Sequence, residues 1–230
     1  MNGYWTPDNR WAGEDVYLIG GGSSLASFDF SVLEGRNTIG VNAAFKLGPT
    51  ISKFCIFGDT SFFHRLKHEL QAYTQQGGEL VGVSPSLSNI NLPWLHKMQR
   101  IRDGLHRGHV LGWNYSTGAA AINLAASLGA RRIFLLGYDL SPGVGGRTHW
   151  HRVHPRRTPE DSFKRFGRGF RLLAGELRAH SDIEVINVTD GSSKLTVFRC
   201  MDFPEFESIL HGHHQQNAQA DSGLLAQNHG

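Results

Sequence analysis

Residues 118–140 read GAAAINLAASLGARRIFLLGYDL. The first half, Gly118 to Leu128, is rich in alanine, the strongest helix former, and closes at Gly129, the residue type best suited to a helix C-terminus. Directly after it, Arg132 to Leu140 (RIFLLGYDL) opens as a continuous apolar run with no polar alternation, the pattern of a strand buried on both faces. A helix feeding such a strand is the repeating unit of a parallel α/β sheet.

Working outward, the same unit recurs. Upstream, Asp15 to Gly20 (DVYLIG) is a short apolar run that stops at Gly20, Gly21, Gly22, Ser23 and Ser24, as a buried strand entering a glycine loop does. Asn37 to Asn42 (NTIGVN), Lys53 to Asp59 (KFCIFGD) and Glu79 to Ser84 read as further strands. Between the last two, residues 61–76 carry Phe62, Leu66 and Leu70 at four-residue steps, a helix signal. Downstream, residues 159–180 space Phe163, Phe166, Phe170, Leu173 and Leu177 three and four apart, so one helical face is apolar and the other basic. Glu184 to Val188 reads as a last strand and Phe203 to Leu210 as a closing helix.

The expectation is one α/β domain over 15–210, with a doubly wound, mostly parallel, Rossmann-like sheet behind an N-terminal extension over 1–14. Residues 85–110, with proline, asparagine, Trp94 and several basic side chains, accommodate only a short helix. They are read as an irregular lid or acceptor-side loop. From His211 onward the chain is polar and aperiodic, which predicts a disordered tail.

Composition narrows the function classes. With 230 residues, 40% hydrophobic and 19% charged, the chain can build one substantial core. Two cysteines, Cys55 and Cys200, exclude a disulfide framework and a CxxC zinc pattern. The start of the chain lacks the signature of a secretory signal, and no apolar run approaches the roughly 18 residues of a membrane span, so a cytoplasmic protein is expected. The net charge of +3 suits an anionic small molecule or nucleic acid and demands neither.

In doubly wound sheets ligands bind at the carboxyl ends of the strands. The residues there are Gly20 to Ser24, Asn42, Asp59 and Asp139. The glycine loop can bring backbone N–H groups close to a phosphate or ribose, but it lacks the full GxGxxG spacing and could equally be a plain turn. Ser116, Thr117 and Gly118 precede the alanine-rich helix, where free N–H groups favour an anion and an ordinary N-cap would look the same. Asp139 could bind a hydroxyl or a metal, or stabilise a turn. The densest constellation is Arg147, His149, His151, Arg152, His154, Arg156 and Arg157, in a loop that also contains Trp150. It suits phosphate groups, with an imidazole as general base; the HxHxxH spacing by itself is weak support for zinc.

Taken together, VYLIGGGSSL, IGVNAAF, STGAAAINLAASLGARRIFLLGYDL, GRTHWH and VINVTDGSSKL resemble the bacterial sialyltransferase-like superfamily, from about Val16 to Leu195. That superfamily includes the Campylobacter-type sialyltransferases and a related domain of unknown function with an archaeal hydroxymethylpterin pyrophosphokinase; the nearest likeness is to the phage and prophage branch of that domain. By motif position the resemblance implies a nucleotide held by Gly20, Gly22, Ser23, Asn42, Ser116, Thr117 and Gly118, and Gly21, Asp59 and Asp139 at the same strand-end edge complete the expected nucleotide site. It also implies a general base at His149 or His151. Arg147, Arg152, Arg156 and Arg157 would neutralise the leaving phosphate in place of a tyrosine pair that this chain lacks. The first loop also lacks the asparagine found in sialyltransferases, which departs from sialic acid specificity.

The leading expectation is a metal-independent glycosyltransferase with a nucleotide-sugar donor and a small-molecule or glycan acceptor, with room for assembly as a homo-oligomer. One alternative is transfer of diphosphate from ATP to an alcohol with Mg²⁺ at Asp59 or Asp139. Another is a non-catalytic module that binds nucleic acid or a phage component.

Overall fold

The structure, a computed structural model, describes residues 3–153 and 157–212. His154, Arg156 and residues 213–230 of the tail expected from His211 lie outside the described residues, while His211 and Gly212 continue the closing helix.

Strand β1 (Asp15–Ile19) is buried along its whole length and stands in the middle of an eight-stranded sheet. Its odd and even side chains enter different cores. Val16 and Leu18 join one cluster, while Tyr17 and Ile19 join another on the opposite face. From β1 the chain moves outward through β2 (Thr38–Val41), β3 (Phe54–Phe57), helix α1 (Thr60–Gln75), β4 (Glu79–Gly82) and β5 (Leu95–Lys97). After β6 (Gln99–Ile101), β7 (Val110–Gly112) and helix α2 (Thr117–Ser127), it returns to the other side of β1 as β8 (Arg132–Leu136). Helix α3 (Glu160–His180), β9 (Glu184–Val188) and β10 (Arg199–Met201) complete the sheet.

The strand order is β10-β9-β8-β1-β2-β3-β4-β5, and every neighbouring pair is parallel. The winding direction reverses between β1 and β8. Loops leaving those two strands at their carboxyl ends must diverge, which opens a crevice there.

Helix α2 explains its own composition. Ala119 to Ala126 are all buried against the sheet and α3, and small side chains allow that close approach. On the opposite face, Phe206 and Leu210 of a helical segment over 203–212 cover Tyr17 and Phe134. Helix α1 covers β3 and β4 through Phe62, Phe63 and Leu70.

Two expectations are corrected. Residues 85–110 are not wholly irregular: they supply a 3₁₀ turn at Pro85–Leu87, the edge strand β5, and β6, which pairs with β7 in a small parallel ribbon. Strands of three residues are too short to carry a periodic signal, and so is β10, which the sequence reading also missed. The run expected to extend from Arg132 to Leu140 stops as a strand at Leu136, because Gly137 turns to a left-handed φ of 71°. Among the described residues no helix is long and apolar enough to cross a membrane.

Candidate functional site

The glycine loop is pressed against the end of β8. Gly20 N–H donates to Leu136 O and Gly22 N–H to Gly137 O, both at 2.8 Å. A Cβ on either glycine would lie 2.6 Å from Gly137 O, and at Gly22 also 2.5 Å from the Asp139 carboxyl, so side chains are excluded by contact with fixed atoms. Asp139 then fastens the loop from below. Its Oδ2 accepts the Ser24 N–H at 2.9 Å and the Ser23 hydroxyl at 3.4 Å, and its Oδ1 accepts the Ser24 hydroxyl at 2.6 Å. Asp139 is therefore a positioning residue for the loop, with both oxygens engaged.

Above the loop lies the segment that carries the histidines, bolted on by Trp150. The Trp150 backbone N–H donates to Gly21 O at 3.1 Å and its indole N–H to Gly20 O at 2.9 Å. The indole also packs on Phe30, with centroids 4.9 Å apart. His149 and His151 flank Trp150 and so face the same side of the loop, their rings 5.2 Å apart. Thr158 N–H donates to Thr148 Oγ1 at 3.2 Å. His149 Nδ1 is 3.0 Å from that same oxygen, and its Nε2 is 3.3 Å from Thr158 Oγ1. His151 Nδ1 accepts the Val153 N–H at 3.3 Å, so a neutral His151 carries its proton on Nε2.

A cleft of about 550 Å³ occupies the crevice between the ends of β1 and β8. It gathers nearly all the strand-end residues singled out in the sequence: Gly20, Gly21, Gly22, Asn42, Asp59, Ser116, Thr117, Gly118, Asp139, His149 and His151 all line it. Ser116 is the N-cap of α2, its hydroxyl accepting the Ala119 N–H at 3.1 Å. Asp59 caps α1 through the Ser61 N–H at 2.8 Å. The N–H groups of Gly21, Thr117 and Gly118 make no hydrogen bond among the described residues. Asn42 Oδ1 is buried and likewise lacks a partner among them. Four described non-glycine residues adopt positive φ, and three of them, Asn42, Tyr115 and Leu140, line the cleft, which marks it as the place where the fold stores backbone strain.

Sequence reasoning missed one whole wall. Trp113 and Tyr115, just before the Ser116 cap, together with Phe163, Phe166 and Phe170 of α3, present an aromatic side to the cleft. Aromatic residues immediately before a helix cap at a strand-end position were the available signal. The α3 phenylalanines were read as core-facing, and Phe170 is; Phe163 and Phe166 are half-buried because the first turns of α3 overhang the cleft. Tyr138 is buried among Gly20, Gly118 and Phe170, and burial pushes its phenol well above its ordinary pKa, so it stays neutral.

The arginines are divided. Arg165, from α3, lines the cleft. Arg147, Arg152 and Arg157 instead line a second, adjoining lobe of about 840 Å³, and Thr148, His149 and His151 form the wall common to both. None of residues 85–110 lines either lobe. Among the described residues, no group of three His, Cys, Asp or Glu side chains is gathered to hold a metal ion.

No protein-family model and no curated protein matches the sequence. Solved structures do. The chain is similar to MAf glycosyltransferase from Magnetospirillum magneticum AMB-1, with a TM-score of 0.56 and 14% identity, over 88% of this chain and 35% of that one. It is also similar to a variant of the sialyltransferase CST-II solved in complex with CMP, with a TM-score of 0.50 and 14% identity, over 81% of this chain and 85% of that one. CstII from Campylobacter jejuni with the substrate analogue CMP-3FNeuAc aligns at a TM-score of 0.47 and 14% identity, over 81% and 84% of the two chains. What the chain shares with the MAf and CST-II structures is the fold. In that fold's terms, the cleft described above lies at the reversal of strand order, and the chain spans about a third of the length of MAf.

Proposed function

We propose that this chain is a glycosyltransferase that holds a nucleotide-sugar donor in the strand-end cleft and uses His149 as general base on an acceptor hydroxyl. The observation that carries the reading is the convergence, on one cleft, of uncommitted N–H donors and an imidazole held by two threonines. The N–H groups of Thr117 and Gly118 sit at the N-terminus of α2, where the helix dipole also favours a phosphate. Gly21 N–H approaches from the glycine loop, and Arg165, its guanidinium over the Phe166 ring, adds a positive charge. Trp113, Tyr115 and Phe163 offer ring faces to a nucleobase. Asn42 Oδ1, buried and unpaired, suits a donor group such as a ribose hydroxyl.

The chemistry follows from that arrangement. With its proton on Nδ1, donated to Thr148 Oγ1, a neutral His149 carries its lone pair on Nε2, 3.3 Å from Thr158 Oγ1 at the wall of the cleft. The acceptor hydroxyl passes its proton to Nε2 as its oxygen bonds to the anomeric carbon. The bond from that carbon to the donor phosphate breaks, and the electron pair departs on the phosphate oxygen, whose growing charge meets the N–H groups. His151 is the weaker candidate for the base, because its Nδ1 lone pair is taken by Val153 N–H.

CMP bound to CST-II makes a cytidine nucleotide the first ligand to try. The motif series supports the finer placement in the phage and prophage branch of the related domain. The magnesium-dependent diphosphate transfer draws less support, since Asp139 uses both oxygens on Ser23 and Ser24 and Asp59 uses Oδ1 on Ser61. The test is a thermal-shift panel of CMP, CDP, UDP, GDP, ADP and ATP with and without Mg²⁺, because a ligand that prefers the folded state raises the melting temperature. Stabilisation without metal, and a His149→Ala variant that still binds but no longer releases nucleotide from its sugar donor, are the expected results. Stabilisation by ATP only with Mg²⁺ would favour diphosphate transfer. Salt-sensitive DNA binding with no nucleotide shift would leave a binding module.

A further inference from the structure

The lobe on the far side of His149 is not accounted for by a donor in the strand-end cleft. Its walls bring together Arg147, Arg152 and Arg157 from one loop with Ser23, Ser24 and Asp190 from two others. None of the three arginines has an ion pair with a described carboxylate. Arg157 only leans on Gly145 O at 3.5 Å. The one carboxylate on the wall among the described residues, Asp190, is engaged by its own turn: Oδ1 accepts the Ser192 N–H at 2.9 Å and the Thr189 hydroxyl at 3.5 Å. Three cations against one committed anion leave the lobe positive.

We infer that this second lobe is the acceptor pocket and that it selects an acceptor carrying an anionic group, a carboxylate or a phosphate, beside the hydroxyl that receives the sugar. The inference rests on the transferase reading and names its second substrate class. Geometry supports the division of labour. Thr148, His149 and His151 form the wall between the lobes, so a hydroxyl presented from the arginine side meets the imidazole, while the donor lies on the glycine-loop side. Guanidinium groups bind carboxylate and phosphate oxygens in pairs, which fixes orientation as well as charge. Arg147 leaves its loop directly before Thr148 and His149, so an anion held there sets the distance from acceptor to base.

The experiment is titration calorimetry of the full chain with glucose 6-phosphate, glucuronate and glucose as probes, with and without the nucleotide identified by the thermal-shift panel. We expect at least one acid to bind tenfold or more tightly than glucose, with the nucleotide already bound and without displacing it. The paired variant R147Q and R157Q should lose that preference tenfold or more while its nucleotide affinity stays within twofold. Which acid wins distinguishes a carboxylate from a phosphate acceptor. Equal binding of glucose and the acids would overturn the inference, as would competition between acid and nucleotide, which would assign the arginines to the donor phosphate instead. A chain that bound the acids through these arginines but bound no nucleotide would keep its anion pocket and lose the transferase reading.

Discussion

Replacing Asp139 with alanine separates its role as a loop anchor from a role as a metal ligand. Its carboxylate accepts two short hydrogen bonds from Ser24, at 2.9 and 2.6 Å, and a longer one from Ser23 at 3.4 Å. Hydrogen bonds to a charged group contribute about 1.5–3 kcal/mol each; Asp139 is itself buried, but Ser23 and Ser24 are half-buried and water recovers part of their share, so Asp139→Ala should cost about 3 kcal/mol. For a domain of this size each kcal/mol lowers the melting temperature by about 2–4 °C, which predicts a fall of about 6–12 °C. Asp139→Asn retains one acceptor oxygen and should lose about half as much. The assay is urea unfolding followed by circular dichroism, with an unchanged denaturant slope to show that the same transition is being compared. A loss below about 0.5 kcal/mol would refute the anchoring argument, since surface substitutions fall in that range. If a Mg²⁺-dependent stabilisation by ATP also vanished in that variant, the carboxylate would be a metal ligand.

Three further outcomes follow from the same geometry. Gly21→Ala puts a Cβ 3.2 Å from His149 Cδ2, so that ring must shift by a few tenths of an ångström, while His151 Nε2 at 3.7 Å stays in ordinary contact; donor turnover should fall by about tenfold or more, with a nearly unchanged melting temperature. Trp150→Phe removes the indole N–H from Gly20 O and should cost about 1 kcal/mol in unfolding, with a larger proportional loss of turnover because both histidines hang from that bolt. Burial pushes the Cys55 thiol up to about 12 from an ordinary 9.0, whereas Cys200 is exposed. One thiol should therefore react with a disulfide reagent in the native chain and two after unfolding. With the folded pKa raised, the contribution of Cys55 to stability is complete below pH 9 and is lost as pH rises toward 12, so Cys55→Ala should flatten alkaline unfolding in that window.

Much of the fold was legible because each long element is encoded in its own residues. The alanine run of α2, the apolar blocks of β1 and β8 and the spaced phenylalanines of α3 announce themselves through periodicity over a few turns or a single strand. Strand-end glycines, Asn42 and the Ser116 cap were legible for a related reason: a parallel sheet sends every strand's carboxyl end to one edge, so knowing the strands names the edge.

What the residues could not reveal locally was decided by docking. Strands β5, β6, β7 and β10 exist because neighbouring strands offer them a ladder, and three residues carry no period of their own. Asp139 became a loop anchor only because β8 ends beside the glycine loop. The loop over 147–157 looked like one basic cluster for one phosphate, yet Trp150 pins its middle to Gly20 and Gly21, and among its described residues Arg147, Arg152 and Arg157 line the second lobe while His149 and His151 stand between the two. Charge and composition are properties of the chain. Which cavity a guanidinium faces is set by a hydrogen bond between residues 130 positions apart, and only tertiary structure brings those two together.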